Sequence, residues 1–217
     1  MKFVIKLIST AILIFLLSAC AEPLTIDDVK LTGQESSLRD GQYTGFILSV
    51  KGKDVSFTGA CNLYNVSDKI IISDVTGDGM PDICVVFITA SGTGVRLEEI
   101  HIFDGVTLEK YQITDIQSVL DEHVDPYSDD ENFFVIADET EYKVAKSLVP
   151  ITPENSPDEA FFEFHRLYEV EENTIVSVIP IQIGMFDFFG HIKVSYAFKD
   201  SYFSADVIEI SEDDYPR

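Results

Sequence analysis

The chain has no tryptophan, three cysteines, and only 15 lysines and arginines against 38 aspartates and glutamates. A net charge of −23 with so few bases argues against nucleic acid as a partner, because phosphate recognition needs clustered Lys and Arg. The same shortage argues against adhesion to anionic headgroups through the protein surface. Lack of tryptophan weakens the case for a carbohydrate-binding platform, which favours large aromatic faces. Catalytic signatures are missing too: there is no H-E-x-x-H, no G-x-S-x-G, and no Cys-His arrangement that stands out. What is present is apolar and aromatic. Sixteen phenylalanines and nine tyrosines, with abundant Ile and Val, exclude the composition of a disordered chain. The excess of acid is expected to keep a folded domain soluble and to attract cations.

The first twenty residues, "MKFVIKLISTAILIFLLSAC", carry Lys2 and Lys6 and then an uncharged, mostly apolar run from Leu7 to Leu17. That run is too short for a bilayer and is flanked by small residues, so it reads as a secretory signal peptide. Leu17-Ser18-Ala19-Cys20 resembles the lipobox of bacterial lipoproteins. The resemblance implies a signal peptide over residues 1–19, cleavage before Cys20, and acylation of the Cys20 thiol, palmitate being among such acyl chains. The expected location is the bacterial cell membrane or outer membrane, lipid-anchored on the extracytoplasmic face. Cleavage removes two lysines and no acid, moving the net charge from −23 to −25. Cys61 and Cys84 then remain, and they either form one disulfide or stay free. Cys84 lies in "DICVVFI", where a buried thiol is equally natural.

Residues 20–40 are mostly polar and aperiodic and read as lipid anchor and tether. Residues 41–217 read as a β-rich domain, divisible into 41–125 and 132–217. "QYTGFILSV" and "KDVSFTGA" flank Lys51-Gly52 as a hairpin, and "SGTG" joins "DICVVFITA" to "VRLEEIHIF" as another. Asp104-Gly105 closes that strand as a turn. "TDIQSVLDEHV" places Ile116, Val119, Leu120 and Val124 at helical spacing behind Thr114 or Asp115 as cap. "VDPYSDDEN" reads as an acidic loop, and "PITPENSPDE" as a loop held irregular by three prolines. The last third reads as a meander. The fold expectation is therefore mainly β, hairpin-rich and meander- or sandwich-like, with one short helix near 114–124. The aspartate motif discussed next occurs once, so a complete propeller is not expected.

"DVTGDGMPD" places oxygen donors at Asp74, Thr76, Asp78 and Asp82, with the Met80 carbonyl between the last two. Calcium takes six to eight oxygens, and alternate residues of a tight loop supply them. Gly77 and Gly79 permit the positive-φ turns that such wrapping requires. An EF-hand is rejected, because position 12 is Val85 where a bidentate Glu is required, and a β-branched strand follows where a helix should. The spacing D-x-x-x-D-G-x-x-D between two strands resembles the calcium loop of FG-GAP and VCBS-type repeats. The resemblance implies a structural Ca²⁺ held by the side chains of Asp74, Thr76, Asp78 and Asp82 and the backbone of Met80. Thr76 departs from the usual Asp or Asn, so the expected affinity is weak. The alternative is an Asp-Gly turn that binds nothing. More widely, residues 74–124 look like bacterial lipoproteins carrying a single VCBS-like loop.

His101, His123, His165 and His191 are scattered over strands and the helix end and read as structural. The acids Asp125, Asp129, Asp130 and Glu131 read as a solvated loop. "GMFDFFGH" alternates aromatics with Asp187, as a strand with one buried face does. The functional expectation is a non-enzymatic, lipid-anchored binding or envelope-associated protein with an unknown protein or glycan partner. Its rivals are a secreted hydrolase with dispersed acidic residues and a purely structural protein with an empty loop.

Overall fold

The computed structural model describes residues 24–35, 42–62, 69–148, 158–184 and 187–211. The expected signal peptide, Cys20, most of the proline-rich loop, Met185 and Phe186 lie outside them, as does the Cys61 side chain. The described residues are mainly β with one α-helix, and their sheets form neither a closed barrel nor a propeller.

Three sheets are present among these residues. The first is β1 (Val29–Glu35), β2 (Gln42–Val50) and β3 (Lys53–Asn62), in that order. Lys51 and Gly52 both have positive φ, the conformation a two-residue turn needs if it is to match the twist of its strands. The expected tether is, where described, a 3-10 turn at Ile26–Asp28 and then β1, paired with β2 from Val29↔Val50 to Glu35↔Tyr43. Val29 and Leu31 pack on the core beneath while Lys30 and Thr32 stay exposed. That two-residue alternation was hidden by the polar composition around it.

The large sheet gathers β4 (Ile70–Ser73), β5 (Asp82–Gly92), β6 (Val95–Asp104), β7 (Lys110–Ile113), β11 (His165–Glu171), β12 (Thr174–Gln182), β13 (Phe188–Lys199) and β14 (Tyr202–Ser211). Their order is β11-β12-β13-β14-β7-β6-β5-β4, so strands from both sides of residues 125–132 share one sheet. A short parallel pairing of β11 with β6, through His165↔Arg96 and Arg166↔Leu97, curls the sheet back on itself. β5 is buried on both faces. Ile83, Val85 and Phe87 meet Phe46, Leu48 and Val50 of β2, while Cys84 and Val86 join the larger core with Ile100, Ile102, Ile179 and Val194. Each such apolar side chain contributes about 1.5–3 kcal/mol when fully buried. Cys84 is a free, fully buried thiol, pushed up to about 12 by burial first and by the charge of Asp82 second.

The helix, α1, spans Ile116–His123, with Asp115 as its cap and Ile116, Val119 and Leu120 turned to the core. The acidic loop expected over 124–132 is a strand in its first half. β8 (Val124–Ser128), β9 (Asn132–Ala137) and β10 (Thr140–Ala145) form the third sheet. Pro126 is tolerated there because β8 is an edge strand, whose outward N–H positions need no partner. Among the described residues, the strand expected from Ala160 begins only at His165, after irregular backbone and an isolated bridge at Phe161.

Candidate calcium loop and its neighbours

The hairpin between β4 and β5 brings all five expected donor residues into one turn. Asp74 leaves β4 with its carboxylate folded back over the loop. Its Oδ1 accepts the N–H groups of Gly77 (2.8 Å) and Asp78 (3.1 Å), and its Oδ2 accepts that of Gly79 (2.9 Å). Gly77 and Gly79 take φ of 74° and 86°, left-handed values that an L side chain resists. Asp78 accepts from the Met80 N–H at 2.7 Å. At the base, Asp82 Oδ2 receives both the backbone N–H and the hydroxyl of Thr76, each at 3.0 Å.

Asp82 is the unusual member. It is 2% exposed, and burial pushes its carboxyl above the usual range, against the Thr76 hydrogen bonds and with help from the Asp78 charge. A buried carboxylate is favoured as an anion only where opposite charge or hydrogen bonds offset its lost hydration. The donors are hard oxygens throughout, which fits calcium in chemistry. As placed, they serve the loop's own N–H groups, and no three His, Cys, Asp or Glu among the described residues stand together so as to hold a metal ion. Asp74 Oδ1 and Asp82 Oδ2 each accept two donors and are filled, whereas Asp74 Oδ2 and Asp78 Oδ1 accept one each and keep a second lone pair for a cation.

A residue with no assigned role in the loop reading lies beside it. The β5–β6 register sets Asp104 directly opposite Asp82. Tyr111 donates its hydroxyl to Asp104 Oδ2 at 3.1 Å. Its phenol is raised by burial, by that bond, and by the charges of Asp104, Asp82 and Asp78. Counting back from Gly92↔Val95 at the "SGTG" turn would set Asp82 opposite Gly105; a bulge between Ile88 and Ala90 shifts the register by one and brings Asp104 there, so the sequence alone does not locate it.

The other candidates fall apart in space. His101 is 1% exposed, with its ring 5.0 Å from that of Phe57 and 5.2 Å from that of Phe87. Its Nε2 lies 3.1 Å from Glu99 Oε1, a contact that holds the Glu99 carboxyl below the usual range. His123 contacts Asp138 at 2.8 Å at the end of α1. Asp129 accepts the N–H groups of Glu131 and Asn132, which hold its carboxyl low, as a turn residue does.

A cleft of about 370 Å³ opens beside β6, walled by Ile100, Tyr111, Ile113, Arg166 and Tyr168 and reaching the Asp115 cap of α1. No family model matches the chain, and no curated protein or solved structure matches it.

Proposed function

We propose that the chain is a lipid-anchored, extracytoplasmic binding protein of the bacterial envelope, without catalytic activity, whose β4–β5 loop takes a structural calcium ion. In this reading it is a lipoprotein with a single FG-GAP/VCBS-like loop, attached to the membrane through Cys20. The observation that carries the calcium proposal is Asp82, a carboxylate almost without exposure and raised by burial, at the base of a turn with two further aspartates. A divalent cation offsets that unfavourable charge, and Asp74, Thr76, Asp78, Asp82 and the Met80 carbonyl are the groups that would hold it. Calcium there would pin β4 to β5 and fix the surface that neighbouring turns present to a protein or glycan partner.

The binding reading over the hydrolase reading is supported by the acids that line the cleft. Glu98 is bound by Lys69, Arg96 and the Tyr168 N–H, and Asp115 caps α1 through Ser118. Glu99, the third, lies against His101, so none of the three is placed as an unengaged acid or base.

The test is a thermal melt of the full-length chain in detergent, with calcium at about ten times its dissociation constant and then with excess chelator. Binding to the folded state alone adds about 1.4 kcal/mol at that excess, or roughly 3–6 °C. The shift should vanish in Asp78→Ala. Identical melts of the unaltered chain in both buffers would overturn the calcium assignment.

A further inference from the structure

The cleft beside β6 has a definite origin. On one edge, β6 pairs with β11 only at Arg96 and Leu97 and with β7 only at Ile102 and Phe103. The residues between, Glu98 to His101, meet no strand of that side. Tyr168 would otherwise leave its N–H unsatisfied where β11 parts from β6, and a buried orphan donor is costly. The Glu98 carboxylate, fully buried, reaches across and accepts it at 2.9 Å. The same carboxylate receives Lys69 Nζ at 2.8 and 3.0 Å and Arg96 Nε and Nη2 at 3.0 and 2.8 Å. One side chain thus holds two strands apart, and the space between them is the cavity of about 370 Å³, within the ordinary range for a small-molecule site.

Its lining charges are unequally committed. Of the three acids, Glu98 is neutralised by two cations, Glu99 sits against His101, which holds it below the usual range, and Asp115 accepts the Ser118 N–H. The two cations of the lining, Lys110 and Arg166, have no carboxylate within 4 Å and no side-chain hydrogen bond among the described residues, although the Glu99 charge acts on Lys110 from across the cleft. Lys110 Nζ stands 6.0 Å from the centroid of Phe57, the outer limit of a cation–π contact, and desolvation lowers its pKa. Arg166 is half-buried. Among the described residues Lys30, Lys143 and Lys199 also stand outside the ion pairs, but on exposed strand surface, whereas Lys110 and Arg166 line one concavity. The chain's overall negative field is screened within about 8 Å at physiological salt, so contacts inside the cleft dominate there.

We propose that this cleft binds a small organic anion, with Arg166 and Lys110 receiving its carboxylate or phosphate group and Ile100, Ile113 and the Tyr111 ring covering its uncharged body. The proposal rests on the binding-protein reading above and names the class of ligand. Arg presents a planar fork that matches either anion bidentately, and Lys adds a point charge.

The experiment titrates the full-length chain in detergent, with chelator present throughout, against benzoate, phenyl phosphate and the neutral isostere benzamide, by ligand-observed NMR. At least one anion is expected to bind about tenfold or more tightly than benzamide, and the pair distinguishes carboxylate from phosphate as the preferred group. Arg166→Gln is expected to weaken the better anion about tenfold or more, and Lys110→Gln several-fold, as loss of a charged partner does. Arg166→Lys should retain part of the affinity. Should Arg166→Gln fail to fold, Lys110→Gln decides alone, since its side chain lies at the exposed rim. Equal binding of benzamide, indifference to both substitutions, or no binding by either anion overturns the proposal. A failed titration with an intact calcium shift removes only the cleft. An intact titration without a calcium shift removes only the loop.

Discussion

Two aspartate-led turns meet at one end of the large sheet, and they use the same residue differently. In the turn after β6, Asp104 Oδ1 accepts the N–H groups of Val106 (2.8 Å) and Thr107 (2.6 Å), and Oδ2 takes the Tyr111 hydroxyl. Burial alone would raise this carboxyl, and the hydrogen bonds outweigh it and hold it low. Leu108 enters the smaller core and Lys53 donates to the Val106 carbonyl. That turn is closed, with one carboxylate and both its oxygens engaged. The turn after β4 begins in the same way, Asp74 gathering three N–H groups, and then adds Asp78 and the buried Asp82. An Asp-Gly pair therefore marks a turn and nothing more. Surplus carboxylate, and burial that raises one of them, is what distinguishes a loop with capacity for a cation.

The largest effect is expected where the two turns touch. A Cβ added at Gly105 would collide with the backbone carbonyl of Pro81, which closes the first loop. Backbone cannot retreat as a flexible side chain can, so Gly105→Ala should destabilise by about 2–4 kcal/mol, read from urea unfolding. Gly77→Ala meets nothing within 4 Å and suffers only from its positive φ, at a cost of about 1–2 kcal/mol. If Gly105→Ala costs no more than Gly77→Ala, the two turns are mechanically independent.

A smaller effect separates support from binding. Asp104→Ala removes three hydrogen bonds from the closed turn and should cost about 1–3 kcal/mol in calcium and in chelator alike, leaving the difference between the two melts intact. A lost calcium shift in this variant would make Asp104 part of the ion's environment and dissolve the contrast between the turns.

Much of this architecture was legible in the sequence because hairpins announce themselves locally. Lys51-Gly52, "SGTG" and the helix behind Asp115 lie where the spacing put them, and the candidate loop residues do share one turn. What was illegible depends on partners far away in the chain. β1 reads as tether because its apolar alternation is short, and it is a strand because β2 offers an edge. β8 carries a proline and an acid, and it is a strand only because an edge position forgives the missing N–H. Glu98 looks like one acid of an exposed "LEE". Its role as a strand spacer needs Tyr168, seventy residues on, and so the cleft could not be found from the sequence at all.

The smallest effect concerns protonation of Asp82. Burial raises its folded-state pKa above the unfolded value, so the folded protein holds this proton more tightly than the unfolded chain does. In chelator its contribution to stability therefore falls as pH rises through the window from the ordinary aspartate value to the raised one, and is constant above it. Asp82→Asn keeps an oxygen for the Thr76 hydroxyl and abolishes the titration. At neutral pH in chelator the variant should melt at or slightly above the unaltered chain, and the difference between the two melts should shrink on acidification through that window. In calcium the order should reverse, because the variant gains no shift. A difference between the two chains that does not vary with pH in chelator would mean that Asp82 is not raised. The first loop would then be, like the second, an aspartate turn satisfied by its own backbone.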